Sequence, residues 1–115
     1  MYADDTTRMR HMHDAAKEAV AFASGKNRSD LDTDRQLVLA VAKCIEIIGE
    51  AASMISGETQ GRYPDIPWPQ ITAMRNRLVH AYFDIDLNIL WDTVTHNLPP
   101  LIATLQRAIS SASAD

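Results

Sequence analysis

The stretch that decides the fold is "DRQLVLAVAKCIEIIGEAASMIS", residues 34–56. Its apolar residues recur at helical spacing on two faces instead of one. The acids of the preceding "DLDTD" suit the N-terminus of a helix, where the helix dipole favours negative charge. A helix that is apolar around so much of its circumference needs more than one neighbour. We therefore expect a central helix, covered either by its own chain alone or, as we favour, by a second copy of the chain as well.

Three more helical segments surround this one in the sequence. A first helix is expected from Asp5 or Thr6, which can cap its N-terminus, to Gly25. After the predicted loop "GETQGRYPDIPWP", residues 57–69, another helix is expected over 68–81. A last helix starts at Asp84 or Asp86 and is kinked or split at "NLPPL", residues 97–101, because proline removes a backbone donor. The pattern predicts one all-α domain over residues 1–115, a four- to five-helix up-down bundle.

Composition limits the class of protein. Apolar residues make up 46% of 115 residues and the net charge is −4, which argues against tight non-specific nucleic-acid binding by the chain as a whole. A local basic site remains possible. The single cysteine, Cys44, allows no internal disulfide, and neither a signal peptide nor a membrane span is apparent. We expect a soluble cytoplasmic protein.

Polar residues interrupt the apolar pattern of the helix predicted over 68–81. Arg75, Asn76, Arg77 and His80 lie close together in "MRNRLVHAYFDID", residues 74–86. Asn76 and His80 share a face at a spacing of four, and a long arginine side chain at 75 can reach toward the same cleft. An arginine fork matches phosphate oxygens, and a histidine can exchange protons near neutral pH. These residue types suit RNA cleavage without a metal, although an Arg and a His on a helix are more often structural or surface groups.

The surrounding blocks resemble a known family. "RNRLVHAY" fits R-x4-H-x-Y, "IEIIGEAAS" at residues 45–53 resembles the family's second-helix signature, and "LPPL" recurs near its last turn region. With "YPDIPWPQITAMRNRLVHAYFDID", these blocks are similar, over residues 8–110, to HEPN-superfamily ribonuclease toxins of the HepT type. The resemblance implies a homodimer formed through the central helices, with the motif helices of both protomers lining one cleft.

The resemblance also implies roles for individual residues. His80 would transfer protons and Arg75 would bind the scissile phosphate, so that the RNA 2′-hydroxyl attacks without metal or other cofactor. Asn76 would hold substrate or orient His80. Arg77 is not part of the family motif; it is a candidate substrate-binding residue that adds positive potential, or it faces solvent. A nucleotidyltransferase (MNT) antitoxin, forming with this chain a type VII toxin–antitoxin module, would silence the toxin by AMPylation of Tyr82. No metal site is expected, since Glu46 and Glu50 lack the Glu-x-x-His pairs of helical di-metal sites.

A second interpretation stays open beside the nuclease. The chain would then be a non-catalytic helical dimer that binds nucleotide or docks a nucleotidyltransferase partner. The acidic net charge favours this alternative, whereas the complete R-x4-H-x-Y motif favours the endoribonuclease.

Overall fold

The computed structural model describes residues 3–79 and 84–114, and all regular structure within them is helical. Four long helical segments form the bundle: α1 (Ala3–Ala23), α3 (Arg35–Ser53), α5 (Trp68–Val79), and a last segment made of α6 (Leu87–Asp92), a π-helical turn (Thr93–Asn97) and α7 (Leu98–Ala114). Two short helices, α2 (Asp30–Thr33) and α4 (Gly57–Arg62), lie in the connections. The all-α prediction is confirmed.

α3 is the central helix, as predicted, and it packs against α1 and α5. Its N-terminus is fixed by Asp34, whose side chain accepts a hydrogen bond from the Leu37 N–H. The residues of both predicted apolar faces are buried, including Cys44, a small hydrophobe within the core, except for Ile47 beside the second face, which is 37% exposed. One chain therefore covers most of α3 by itself, and only Leu39 and Ile47 remain among its large apolar residues with exposed side chains.

The predicted loop over residues 57–69 is partly wrong, because residues 57–62 form α4. Ser56 caps this helix by accepting a hydrogen bond from the Thr59 N–H. Asp5, at the start of α1, binds the same turn: it accepts hydrogen bonds from the hydroxyls of Ser56 and Thr59, both at 2.7 Å. This helix is therefore stabilised by hydrogen bonds to a residue more than 50 positions earlier in the sequence. Such a contact cannot be predicted from the local composition of residues 57–62.

The break predicted at "NLPPL" is a π-helical turn placed directly before the two prolines. The N–H of Leu98 donates to the carbonyl of Thr93, five residues earlier. Pro99 and Pro100 have no N–H to offer the preceding turn, so the helix widens there and continues as α7. Asp86 caps α6 as predicted, accepting from the N–H groups of Asn88 and Ile89.

No helix within the described ranges is both long enough and apolar enough to span a bilayer.

Candidate functional site

Arg75 lies in α5 at its contact with α3, where it packs directly on Gly49. A methyl group added to Gly49 would lie 2.5 Å from the Cβ of Arg75 and 2.6 Å from its Cδ. Only a glycine at position 49 leaves room for the aliphatic part of the Arg75 side chain at this distance. The aliphatic part of Arg75 is therefore held against the α3 backbone, and its side chain is half-buried. The contact fixes the position on the protein surface from which the guanidinium extends.

The guanidinium of Arg75 has no hydrogen-bond or ion-pair partner among the described residues, and the same is true of Arg77. The sequence between Asp65 and Asp84 also contains no acidic residue, so α5 is a locally basic element in a protein of net charge −4. Two unneutralised arginines on one helix favour an anionic ligand such as phosphate.

The structure separates the two arginines. Arg75 and Arg77 are two residues apart on a regular helix, which places them about 200° apart around its axis. Arg75 faces α3, whereas Arg77 lines a groove between α5 and the α6–α7 segment. Asn76 is exposed on the face between them. Of the predicted cluster, Arg75 and Arg77 therefore face different surfaces, and Asn76 lies at the same angle from each.

Two predicted site residues, His80 and Tyr82, lie outside the described residues. α5 is regular as far as Val79, directly before the predicted histidine. The positions of the imidazole and of the phenol relative to Arg75 therefore stay predictions from the R-x4-H-x-Y motif.

Glu46 lies on the part of α3 that faces Arg75. It precedes Gly49 by three residues, a spacing that puts both on one side of the helix. Its side chain is only 13% exposed, and the Lys43 Nζ lies 3.4 Å from one carboxylate oxygen. A mostly buried carboxylate of this kind can orient neighbouring cationic groups. Within the described ranges, no three His, Cys, Asp or Glu side chains are grouped to hold a metal ion.

Sequence reasoning did not assign a role to Gly49, although a signal was present. Glycine inside a helix costs about 1 kcal/mol relative to alanine. A glycine in the middle of "IEIIGEAAS" therefore calls for a packing reason, and the structure supplies it in the stem of Arg75.

Three large apolar side chains are exposed on α3 and its C-cap. Leu39, Ile47 and Met54 are 40%, 37% and 60% exposed. Their spacing places them within about 80° of one another around the helix axis, a sector that also contains the exposed Lys43 and Glu50. We call these three residues the exposed stripe. Gly49 lies about 160° from Ile47 on the same helical projection, so the arginine contact faces away from the middle of the stripe.

Comparisons with known proteins agree with one another. The family model described as "Ribonuclease HepT-like" matches residues 12–108. A protein of Thermococcus cleftensis named "Probable ribonuclease HepT" is 40% identical over 72 residues, covering 63% of this chain and 66% of that relative. A protein of Methanocaldococcus jannaschii provisionally named as an RNase is 30% identical over 88 residues, covering 76% of this chain and 81% of its own. No solved structure gives a significant match.

Proposed function

The chain belongs to the HepT-like ribonuclease family of the HEPN superfamily, and we propose that it cleaves RNA as the endoribonuclease toxin of a HEPN/MNT toxin–antitoxin module in the cytoplasm. The observation that supports this most strongly is the Arg75–Gly49 contact. It holds a guanidinium with no partner among the described residues at the edge of α3, on a helix segment free of acids.

Arg75 acts on the scissile phosphate. Its fork donates to the non-bridging oxygens, and it stabilises the additional negative charge that develops on them in the transition state. Because the stem is held against α3, little side-chain entropy is lost when the phosphate binds. Asn76, exposed on the adjacent face, donates to the substrate or orients the histidine.

His80 transfers the protons. It removes the proton from a ribose 2′-hydroxyl, whose oxygen then attacks the adjacent phosphorus. The bond between phosphorus and the 5′-oxygen of the next nucleotide breaks, and that oxygen receives a proton. The products are a 2′,3′-cyclic phosphate and a free 5′-hydroxyl. The attacking group comes from RNA itself, so the reaction as proposed needs no metal.

A second copy of the chain completes the site. The exposed stripe of Leu39, Ile47 and Met54 supports a homodimer formed through α3 of each protomer. In the proposed dimer, the Arg75 side chains of the two protomers line the edges of one shared groove. A groove with cationic groups on both sides suits a single RNA strand.

Tyr82 is the proposed point of regulation. A nucleotidyltransferase partner transfers AMP to its hydroxyl, which adds bulk and a negative charge two residues after His80. The added phosphate repels RNA phosphate and can pair with the arginine that would otherwise bind substrate. After co-expression with such a partner, mass spectrometry of the intact protein is expected to show added AMP units that map to Tyr82. An unmodified mass contradicts this regulation and leaves cleavage unaffected.

Cleavage is tested by two matched arginine substitutions. Arg75→Ala is expected to slow cleavage of single-stranded RNA in EDTA by about 100-fold or more, since it removes a group that stabilises transition-state charge. Arg107→Ala, at an exposed arginine of α7, is expected to cleave as the unaltered protein does. If the folded, unmodified dimer leaves RNA intact, the non-catalytic alternative replaces the nuclease: a helical dimer that binds nucleotide or docks the nucleotidyltransferase.

A further inference from the structure

A groove of about 280 Å³ lies on the side of α5 away from Gly49. Its floor and walls are apolar, with Met74 from α5 facing Ile89, Leu98 and Leu101 from the α6–α7 segment. The volume is close to the lower end of the range of small-molecule pockets. A single flat ring fits such a slot better than a whole nucleotide does.

The rim of this groove is polar, and its side chains lack hydrogen-bond partners among the described residues. Gln70, Arg77 and Asn97 line it, and none of their side chains hydrogen-bonds to another of the described residues. The two amides offer both donors and acceptors, and the guanidinium offers a site for an anion. An apolar slot with amides and one cation at its mouth matches a nucleobase with its adjoining phosphate.

The π-helical turn contributes to the shape of the groove. Thr93 and Asn97 from this turn are among the lining residues. The Thr93 hydroxyl donates to the Ile89 carbonyl at 2.8 Å, which leaves Asn97 as the polar group that the turn contributes to the rim. π-turns inside helices are frequent at functional sites. Here the turn widens the helix at the position where it borders α5.

We propose that this groove binds one unstacked base of the RNA strand whose neighbouring phosphate Arg77 contacts. The inference rests on the proposed function, because it takes RNA as the ligand. The strand crosses the exposed face of α5 between Arg75 and Arg77, where Thr72, Ala73 and Asn76 present small side chains. A helix is only about 10 Å across, so a strand of several nucleotides reaches both arginines.

The groove therefore sets a base preference at a fixed distance from the cut. Arg75 and His80 contact phosphate and ribose, which are the same at every nucleotide. The apolar slot and the amides of Gln70 and Asn97 contact the base, and single-stranded RNA is recognised by such base contacts. The phosphate contact of Arg75 and the base contacts of the groove lie on opposite sides of α5.

Filling the groove tests this proposal. Ala73 is an exposed groove-lining residue, so Ala73→Leu narrows the slot without altering the core. Ala103→Leu makes the same change at an exposed position of α7 outside the groove. The probe is a fluorescent 2′-O-methyl oligonucleotide, which cannot be cleaved, in an intact form and in a series that lacks one base at a time.

The expected result is a position-dependent loss of binding. For the unaltered protein and Ala103→Leu, removal of one particular base weakens binding by about fivefold or more, the low end of what one bound base supplies. For Ala73→Leu, the intact oligonucleotide binds as weakly as the one lacking that base, so the ratio of their two dissociation constants falls to about one. Arg77→Gln weakens binding of every oligonucleotide and keeps the ratio above one.

Two results overturn the proposal. The first is that no missing base matters to the unaltered protein, including the case in which it does not bind the probe. The second is that Ala73→Leu and Ala103→Leu bind identically, as they would if the groove held a segment of a partner protein. The binding result is separate from the test of catalysis. Base-dependent binding without cleavage contradicts only the proposed nuclease activity. Cleavage that is unaffected by Ala73→Leu contradicts only the proposed role of the groove.

Discussion

The Cβ of Arg75 lies so close to Gly49 that a methyl group on the glycine would be 2.5 Å away from it. This contact joins the central helix to α5, which contains the first residue of the R-x4-H-x-Y motif, Arg75. The Cβ is bonded to the backbone, so a side-chain rotation cannot relieve the overlap. A larger residue at position 49 must move α5 as a whole.

Gly49→Ala is therefore expected to destabilise the protein and to displace Arg75. Overpacking costs about 1–3 kcal/mol, which exceeds the gain of about 1 kcal/mol from replacing a helical glycine by alanine. RNA cleavage is expected to fall more than the loss of folded protein explains. Thermal unfolding and cleavage rate, measured at a temperature where both proteins are folded, check this.

Gly61→Ala provides the matched control. Gly61 is also helical, but no atom lies within 4 Å of the position of an added methyl group. We expect Gly61→Ala to be neutral or to stabilise the protein by up to about 1 kcal/mol, with unchanged cleavage. Equal behaviour of the two variants would show that the arginine stem does not need the glycine.

Asp5 is expected to make stability depend on pH in the acid range. Burial alone would raise its pKa, but hydrogen bonds from Thr59 and Ser56, with the charge of Arg8, outweigh burial and hold the pKa of Asp5 below its ordinary value of 3.8. A carboxyl group with a lowered pKa stabilises the fold above that ordinary value. The stabilisation is lost as the pH falls from 3.8 through the lower pKa of the folded state.

Asp5→Asn is expected to cost about 1–3 kcal/mol near neutral pH, because an amide oxygen cannot replace a carboxylate that accepts from both hydroxyls and the Ser56 N–H. The stability of the variant is also expected to fall less steeply below pH 4 than that of the unaltered protein. Denaturant unfolding at several pH values measures both. Asp4→Asn, at the exposed acid beside it in the first turn of α1, is the control. Parallel pH profiles for the two variants would exclude Asp5 as the titrating group.

The exposed stripe of α3 is expected to mediate self-association. Ile47→Glu places a charge in the middle of the stripe, so it should convert a dimer into a folded monomer. Ala103→Glu, at an exposed position of α7, should stay dimeric. Light scattering gives the mass of each. A monomeric unaltered protein, or a dimer that survives Ile47→Glu, would place the interface elsewhere.

Cys44 is expected to react slowly while the protein is folded. Burial, together with the charge of Glu18, raises the pKa of the Cys44 thiol to about 11. The thiol stays protonated at neutral pH, and the thiolate is the reactive form. Alkylation measured by mass should therefore be slow in native buffer and fast in denaturant. Rapid native labelling would mean that α3 opens readily at its centre.

The sequence predicted the helices whose signals are local. Asp86, one of the two predicted caps, caps α6, and the two predicted apolar faces of α3 are buried except at Ile47. The sequence did not predict α4, whose first turn is fixed by Asp5 near the N-terminus of the chain. Long-range hydrogen bonds of this kind have no periodic pattern in sequence.

The candidate site could be predicted only in part for the same reason. The R-x4-H-x-Y motif identified Arg75, but spacing alone placed Arg77 in the same cluster, whereas the structure turns it toward the α5–α7 groove. The partner that positions Arg75 lies 26 residues earlier, on another helix. Only the packing of α5 against α3 shows that these residues meet.

Product end-group analysis tests the central claim most directly, namely that Arg75 and His80 promote attack by the RNA 2′-hydroxyl. Purified protein free of adenylyl groups is incubated in EDTA with a 5′-labelled RNA, and the fragments are identified by mass. We expect 5′ fragments that end in 2′,3′-cyclic phosphate, and no cut where the nucleotide preceding the scissile bond has a 2′-O-methyl group. Fragments that end in a 3′-hydroxyl, or cleavage that persists at the 2′-O-methyl position, would contradict it.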